Sequence, residues 1–323
     1  MSLMRLCGVN VKFEKRAKLL GEEQKIHVLK DIDLELYPGE ILALVGESGC
    51  GKTTTGKVIT GLLPPTEGAV FLEEESLYRK HGGKDGTNRL VQFVQQDSYA
   101  ALNPVKTIRQ SLTAALRCVD KKIKGEALNN RLEELMECIG LTPAVQYLDK
   151  YPHNLSGGQR QRILMARAIA FHPKIIVADE PVSMIDVSLR LAILNLMKKL
   201  NQEMGITVVY ITHDLSTARY IAKNGRICVM YLGEIVELGE MEHVLTKPRH
   251  PYTQALIKAV PDVWNTAAEK LPLKSMELSD LEKRKAGCAF ANRCPYETEE
   301  CARAVPLKDM EGVQVRCVNA CKI

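Results

Sequence analysis

Eight residues, Gly46-Glu47-Ser48-Gly49-Cys50-Gly51-Lys52-Thr53, read G-x-x-x-x-G-K-T, the spacing of a loop that cradles phosphate. Glycines at this spacing let backbone N–H groups turn inward toward phosphate oxygens. Lys52 can reach β- and γ-phosphates, the Thr53 hydroxyl can ligate Mg2+, and Thr54 follows inside the first helical turn. Asp179 and Glu180 close a short apolar run, where two carboxylates at a strand end suit Mg2+ and water. Gln96 and His213 each stand just past a strand-like run. Ser156-Gly157-Gly158-Gln159 opens a helix whose N-terminal glycine pair presents a second anion-facing surface.

These groups need elements to position them. Residues 41–45 are all apolar and suit a buried strand leading into the loop. Residues 52–62 read as the helix after it, stopped by Pro64-Pro65. Strict alternation over residues 31–36 predicts a strand with one wet face. Residues 9–13 make another strand. Its Phe13 is the candidate for stacking on an adenine, with His27 second and a plain core role for Phe13 equally open. Residues 14–25 are charged and read as a loop insertion, and residues 79–88 as an exposed hairpin loop between strands at 68–72 and 90–94. Residues 98–155 change character. Helical periodicity over 107–118 and 125–139 puts Leu128, Leu132, Leu135 and Ile139 on one stripe, with Gly140 as a stop. Residues 187–204 form an amphipathic helix, and 226–231 and 234–238 a last strand pair. Strands alternating with helices around a phosphate loop predict an α/β fold.

The chain has 323 residues, enough for one large domain and a smaller one. Its net charge of +5 is too small to argue for nucleic acid as a partner. No apolar run approaches the roughly 18 residues that a membrane span needs, and residues 1–10 lack a secretory apolar core, so the chain is expected in the cytoplasm. Of ten cysteines, Cys288, Cys294, Cys301, Cys317 and Cys321 crowd into the C-terminal tail. In that compartment the tail reads as a metal or cluster site before a disulfide framework.

Taken together, these residues resemble the ATP-binding subunits of ABC transporters, from about residue 4 to 245. Residues 46–53 resemble the Walker A loop and Gln96 the Q-loop glutamine. Leu155-Ser156-Gly157-Gly158-Gln159 resembles the signature motif. Residues 175–179 look like Walker B, with Glu180 as catalytic glutamate and His213 as switch histidine. Ser183-Met184-Ile185-Asp186 departs from the commoner Ser-Ala-Leu-Asp of the D-loop but keeps the serine and Asp186. Gln96-Asp97 followed by Ala101-Leu102-Asn103-Pro104, and the stretch His250-Pro251-Tyr252-Thr253-Gln254-Ala255-Leu256, are similar to the oligopeptide and dipeptide import branch.

The resemblance implies a P-loop NTPase core of the ABC cassette type, with antiparallel β and α-helical subdomains and a small loop-rich C-terminal domain built on four cysteines. The domains would span 1–245, with the helical part at about 98–155, and 246–323. It implies ATP hydrolysis at a dimer interface. Lys52, Thr53 and Asp179 would hold Mg-ATP, Gln96 and His213 would sense the γ-phosphate, and Glu180 would orient or deprotonate water. Ser156 to Gln159 would complete the site of the opposite subunit. Implied partners are a second ATPase subunit, with a heterodimer favoured, two transmembrane permease subunits and an extracytoplasmic substrate-binding protein. The chain would sit peripherally on the cytoplasmic face of the membrane. Importers of nickel or oligosaccharide share the branch, and soluble ABC ATPases of DNA repair or translation differ by coiled coils or a second cassette that are absent here.

In the tail, Cys288, Cys294, Cys301 and Cys317 are spaced C-x5-C-x6-C-x15-C. Zinc knuckles usually show C-x2-C pairs, and ferredoxins a C-x2-C-x2-C run. Neither fits, and four thiolates suit either metal. Within the peptide-importer branch the arrangement resembles the site of a [4Fe–4S] cluster, with zinc and free thiols as alternatives and Cys321 as a spare.

Overall fold

The computed structural model describes residues 1–15, 24–78, 89–259 and 287–320. The proposed hairpin loop at 79–88, Cys321 and most of the 14–25 insertion lie outside them. Two sheets organise the described residues. The larger has eight strands in the order Lys308–Met310, Val313–Val315, Glu234–Glu240, Arg226–Tyr231, Ile41–Val45, Thr207–Thr212, Ile175–Asp179 and Val91–Val94. Its five strands from Arg226–Tyr231 to Val91–Val94 are parallel, and the first three add on antiparallel. The apolar run Ile-Leu-Ala-Leu-Val of residues 41–45 is explained by its central place, with neighbours on both edges and cover on both faces.

The smaller sheet is antiparallel, in the order Gln24–Leu36, Met4–Lys15, Glu67–Leu72, Glu75–Ser76. Leu29, Ile32, Leu34 and Leu36 are buried beneath it, which accounts for the alternation seen over residues 31–36. The helical insertion consists of Ser98–Ala101, Ile108–Val119, Gly125–Cys138 and Val145–Leu148. Leu132 and Leu135 of the predicted stripe are buried and Leu128 packs against that core. The helix Gly157–Ile169 carries a reciprocal capping box between Ser156 and Gln159. The helix after the phosphate loop is Lys52–Ile59, shorter than expected. Gly61 at φ 74 turns the chain before the prolines can.

Residues 287–320 do not stand apart from this architecture. The hairpin Lys308–Met310/Val313–Val315 extends the main sheet, pairing Glu237 with Val315 and Leu238 with Gln314. Phe290 and Val313 are fully buried in the same core as the helical insertion. Phe290 meets Tyr231 edge-on at 5.3 Å and Tyr252 at 5.5 Å between ring centroids. No helix among the described residues is long and apolar enough to cross a membrane.

Because Phe290 is a keystone between tail and sheet, Phe290→Ala should destabilise the whole chain by about 3–5 kcal/mol. Guanidinium unfolding followed by far-ultraviolet dichroism measures this. A midpoint unchanged from wild type would mean that the tail contributes nothing to the core.

Candidate functional site

The phosphate loop leaves the central strand at Gly46, whose φ is 153. A Cβ there would lie 2.2 Å from the Met230 carbonyl oxygen, so only glycine lets the loop pass the neighbouring strand. Gly51, at φ 106, caps the helix Lys52–Ile59 without any side-chain cap, which leaves the leading N–H groups for a ligand. Lys52 is 6% exposed, and its Nζ donates to the carbonyls of Gly46 at 2.8 Å and Glu47 at 2.9 Å. The ammonium thus spans the hollow of its own loop. The Thr53 hydroxyl acts on the carboxylate of Asp179, at the end of strand Ile175–Asp179. Burial pushes the Asp179 carboxyl above its usual range, and the neighbouring Thr53 hydroxyl opposes that shift.

Glu180 follows at φ 45, the left-handed region that costs a non-glycine residue energy. Its backbone N–H donates to Ile211 O at 2.9 Å, and Ser183 Oγ donates to its carbonyl at 2.9 Å, which holds the strained turn. Its carboxylate accepts Gln96 Nε2 at 3.1 Å on one oxygen and His213 Nδ1 at 2.8 Å on the other. A carboxylate only accepts, so Nδ1 carries the hydrogen. Three residues from separate strand ends, Gln96, Glu180 and His213, are thereby brought into one hydrogen-bonded group beside Asp179.

The signature segment goes elsewhere. Ser156 and Gln159 bond to each other. A Cβ on Gly157 would lie 3.4 Å from Met184 O, and one on Gly158 would lie 3.5 Å from Leu189. So the segment packs on residues 184–189, which lead through Asp186, exposed, into the helix Val187–Met204. Met184 and Val187 there are exposed. Phe13 is 44% exposed and pairs across the strand with Ile26. The His27 ring is tied to Asn10 Oδ1 at 2.8 Å.

Two contacts were not anticipated from the motifs. The Glu47 N–H donates to Tyr252 OH at 2.9 Å, and Arg293 Nη1 donates to both Glu47 carboxylate oxygens at 3.0 and 3.1 Å. The stretch around Tyr252 and the cysteine tail marked a branch in the sequence, but nothing there signalled contact with the phosphate loop.

In the tail, Cys288, Cys294, Cys301 and Cys317 line one cavity of about 10 Å3 with His250, Phe290 and Asn319. That is room for about one water. Cys7, Cys50, Cys118, Cys138 and Cys228 lie away from it, and none of these nine thiols is in a disulfide. Burial pushes the Cys288 thiol up to about 12 and the Cys317 thiol to about 11. His250 accepts the Tyr252 N–H on Nδ1 at 3.0 Å, while its buried Nε2 has no partner. Among the described residues no three His, Cys, Asp or Glu side chains are arranged as a metal-binding group. The [4Fe–4S] cluster implied by the resemblance therefore has no ligand shell in this geometry, although its four cysteines do converge.

Comparison with known proteins places this geometry. Residues 29–183 match the ABC transporter family, and residues 236–301 match the oligopeptide/dipeptide transporter C-terminal region. The probable D,D-dipeptide transport ATP-binding protein DdpF of Escherichia coli K12 is 37% identical over 321 residues, covering 99% of each chain. The oligopeptide transport ATP-binding protein OppF of Salmonella typhimurium is 38% identical over 327 residues, covering 99% of this chain and 96% of the relative. Among solved structures, the ATP-binding cassette MJ0796 in a dimeric post-hydrolysis state with ADP and Pi has a TM-score of 0.63 at 31% identity. It covers 74% of this chain and 98% of that one. The chain belongs to the ABC transporter family as an ATP-hydrolysing subunit, in the branch that carries the oligopeptide/dipeptide transporter C-terminal region.

Proposed function

We propose that this subunit energises the import of di- or oligopeptides from the cytoplasmic face of the membrane. It would act as one of two ATPase subunits, in a heterodimer, beneath two permease subunits supplied by an extracytoplasmic binding protein. The observation that carries the ATPase half is the hydrogen-bonded group Gln96–Glu180–His213 set beside Asp179. The peptide half rests on the peptide-transport relatives that match almost end to end. With the membrane subunits reconstituted, binding protein loaded with peptide should stimulate ATP hydrolysis. Stimulation by nickel or oligosaccharide instead would reassign the cargo.

Each residue has a role in this reading. Lys52 and the N–H groups of Gly49, Cys50, Gly51, Lys52 and Thr53 hold the β- and γ-phosphates, with Gly46, Glu47, Ser48 and Thr54 shaping the loop. Thr53, Asp179 and Gln96 hold Mg2+. Phe13 stacks on the adenine, since His27 is already engaged by Asn10. Glu180 orients the attacking water and takes its proton, while His213 and Gln96 hold its carboxylate until a γ-phosphate draws them away. Such catalysis is positioning and charge neutralisation. Glu180→Gln keeps the shape and removes the proton acceptor. It should lower phosphate release by about 100-fold or more while Mg-ATP binding persists. Phosphate release within twofold of wild type would remove Glu180 from this role.

The second proposal within this reading is the shared site. Ser156, Gly157, Gly158 and Gln159 pack on the segment that carries Asp186, and together these residues would complete the partner's site. ATPase activity should rise steeply with the concentration of a second cassette. Activity per subunit that ignores dilution, in a preparation shown to be monomeric, would contradict it.

The third concerns the division at about residue 245 and the tail of residues 246–323. The four cysteines converge on one cavity, but that cavity has room for about one water and no three of the described side chains there form a metal-binding group, so the reading rests on the resemblance and requires the loops to open around the group. We assign an iron–sulfur cluster, held by Cys288, Cys294, Cys301 and Cys317, which would cross-link the loops. Protein purified without oxygen should contain iron and sulfide and absorb broadly in the visible. Cys294→Ser or Cys301→Ser should bleach it and Cys321→Ser should not. One zinc per chain and no iron would substitute a zinc site, and neither metal would leave free thiols.

A further inference from the structure

The phosphate loop is held by residues far outside the nucleotide motifs. The Glu47 N–H donates to Tyr252 OH, 205 positions downstream, and the Glu47 carboxylate receives Arg293, 246 positions downstream. Tyr252 is 1% exposed. Its ring lies 4.6 Å from that of Tyr231 and 5.5 Å from that of Phe290. The Arg293 guanidinium lies 5.6 Å from the Phe290 centroid, and Nη1 stands 3.4 Å from Tyr231 OH. Arg293 itself sits between Cys288 and Cys294. Position 47 is thus fixed through its backbone by one tail residue and through its side chain by another.

Lys52 makes this arrangement consequential. Its ammonium currently bridges the carbonyls of Gly46 and Glu47. A phosphate that draws the ammonium toward itself takes those two bonds from the loop. The loop then keeps its shape only if something else holds Glu47, and the bonds to Tyr252 and Arg293 do not involve Lys52. We propose that Tyr252 and Arg293 are positioning residues for the phosphate loop, so that ATP binding and the ordering of the tail around residues 287–301 are energetically coupled. Preorganising a loop raises affinity by reducing the ordering cost of binding. Coupling is reciprocal, so ATP must order the tail by the same factor by which the tail strengthens ATP binding.

The test uses the full chain, with Mg-ATP affinity read by calorimetry and amide exchange of residues 287–301 read with and without saturating Mg-ATP. Tyr252→Phe keeps the buried ring and deletes only the acceptor of the Glu47 N–H, so it should fold and bind Mg-ATP about tenfold more weakly. Arg293→Ala should weaken binding about threefold, the scale of a partly exposed ion pair, and Arg293→Lys should recover part of the loss. Combining Glu47→Ala with Arg293→Ala should cost no more than either alone, because both break one pair. In wild type, ATP should slow exchange across residues 287–301, and Tyr252→Phe should blunt that protection. Unchanged affinity in both Tyr252→Phe and Arg293→Ala, or tail exchange indifferent to ATP in wild type, would overturn the proposal. Lys52→Ala must lose ATP binding whatever the tail does, so retained binding there would count against the nucleotide site itself and not against the coupling.

Discussion

No atom beyond hydrogen fits on Gly46, because the loop passes the Met230 carbonyl where any side chain would begin. This close approach anchors the site. It lets the central strand Ile41–Val45 end in a hollow rather than in an ordinary turn. The hollow then points the uncapped N-terminus of Lys52–Ile59 at whatever occupies it. The parallel neighbours bring Asp179, Glu180 and His213 to the same edge, because parallel strands all present their carboxyl ends together. The helical insertion and the antiparallel sheet are built on this core and leave that edge open.

The charges along that edge are arranged for a ligand more than for stability. A buried ammonium held by two loop carbonyls and the Cys50 sulfur, a carboxyl raised by burial, and a glutamate at positive φ each cost the fold something. In the proposed reading a Mg2+-bound triphosphate would relieve the first two, with anionic oxygens for Lys52 and a cation for Asp179.

Most of the nucleotide edge was legible in the sequence because its chemistry is local. Glycine spacing, a strand that ends in two carboxylates and a serine cap with glutamine three residues on are short-range patterns, and the strands and helices that carry them formed where periodicity put them. The helix after the loop ended early because Gly61 acts before Pro64 and Pro65, a competition between two stop signals that composition alone does not rank. Contacts between distant segments were illegible. Nothing in the spacing of Arg293 or Tyr252 announces Glu47, since a contact across more than two hundred residues is set by how the sheet closes and leaves no period in the sequence.

The tail shows why closure of the sheet matters. Read as a string, residues 287–320 are cysteine-rich, prolines punctuate them, and they suggest an appendage. Folded, they contribute two edge strands and Phe290 to the main core. The physical cause lies in Glu234–Glu240, which would otherwise be an exposed sheet edge beyond the last parallel strand. Covering that edge satisfies its backbone groups and blocks pairing with other chains. It also carries the cysteine loops across the face of the sheet to the phosphate loop. Glu237, buried on the same strand, accepts the N–H groups of Arg249 and His250 and so fixes where the chain turns back toward Tyr252. One antiparallel addition therefore protects the edge, gathers the four thiols and delivers Tyr252 and Arg293 to Glu47. A change in any of these three places should be felt in the other two.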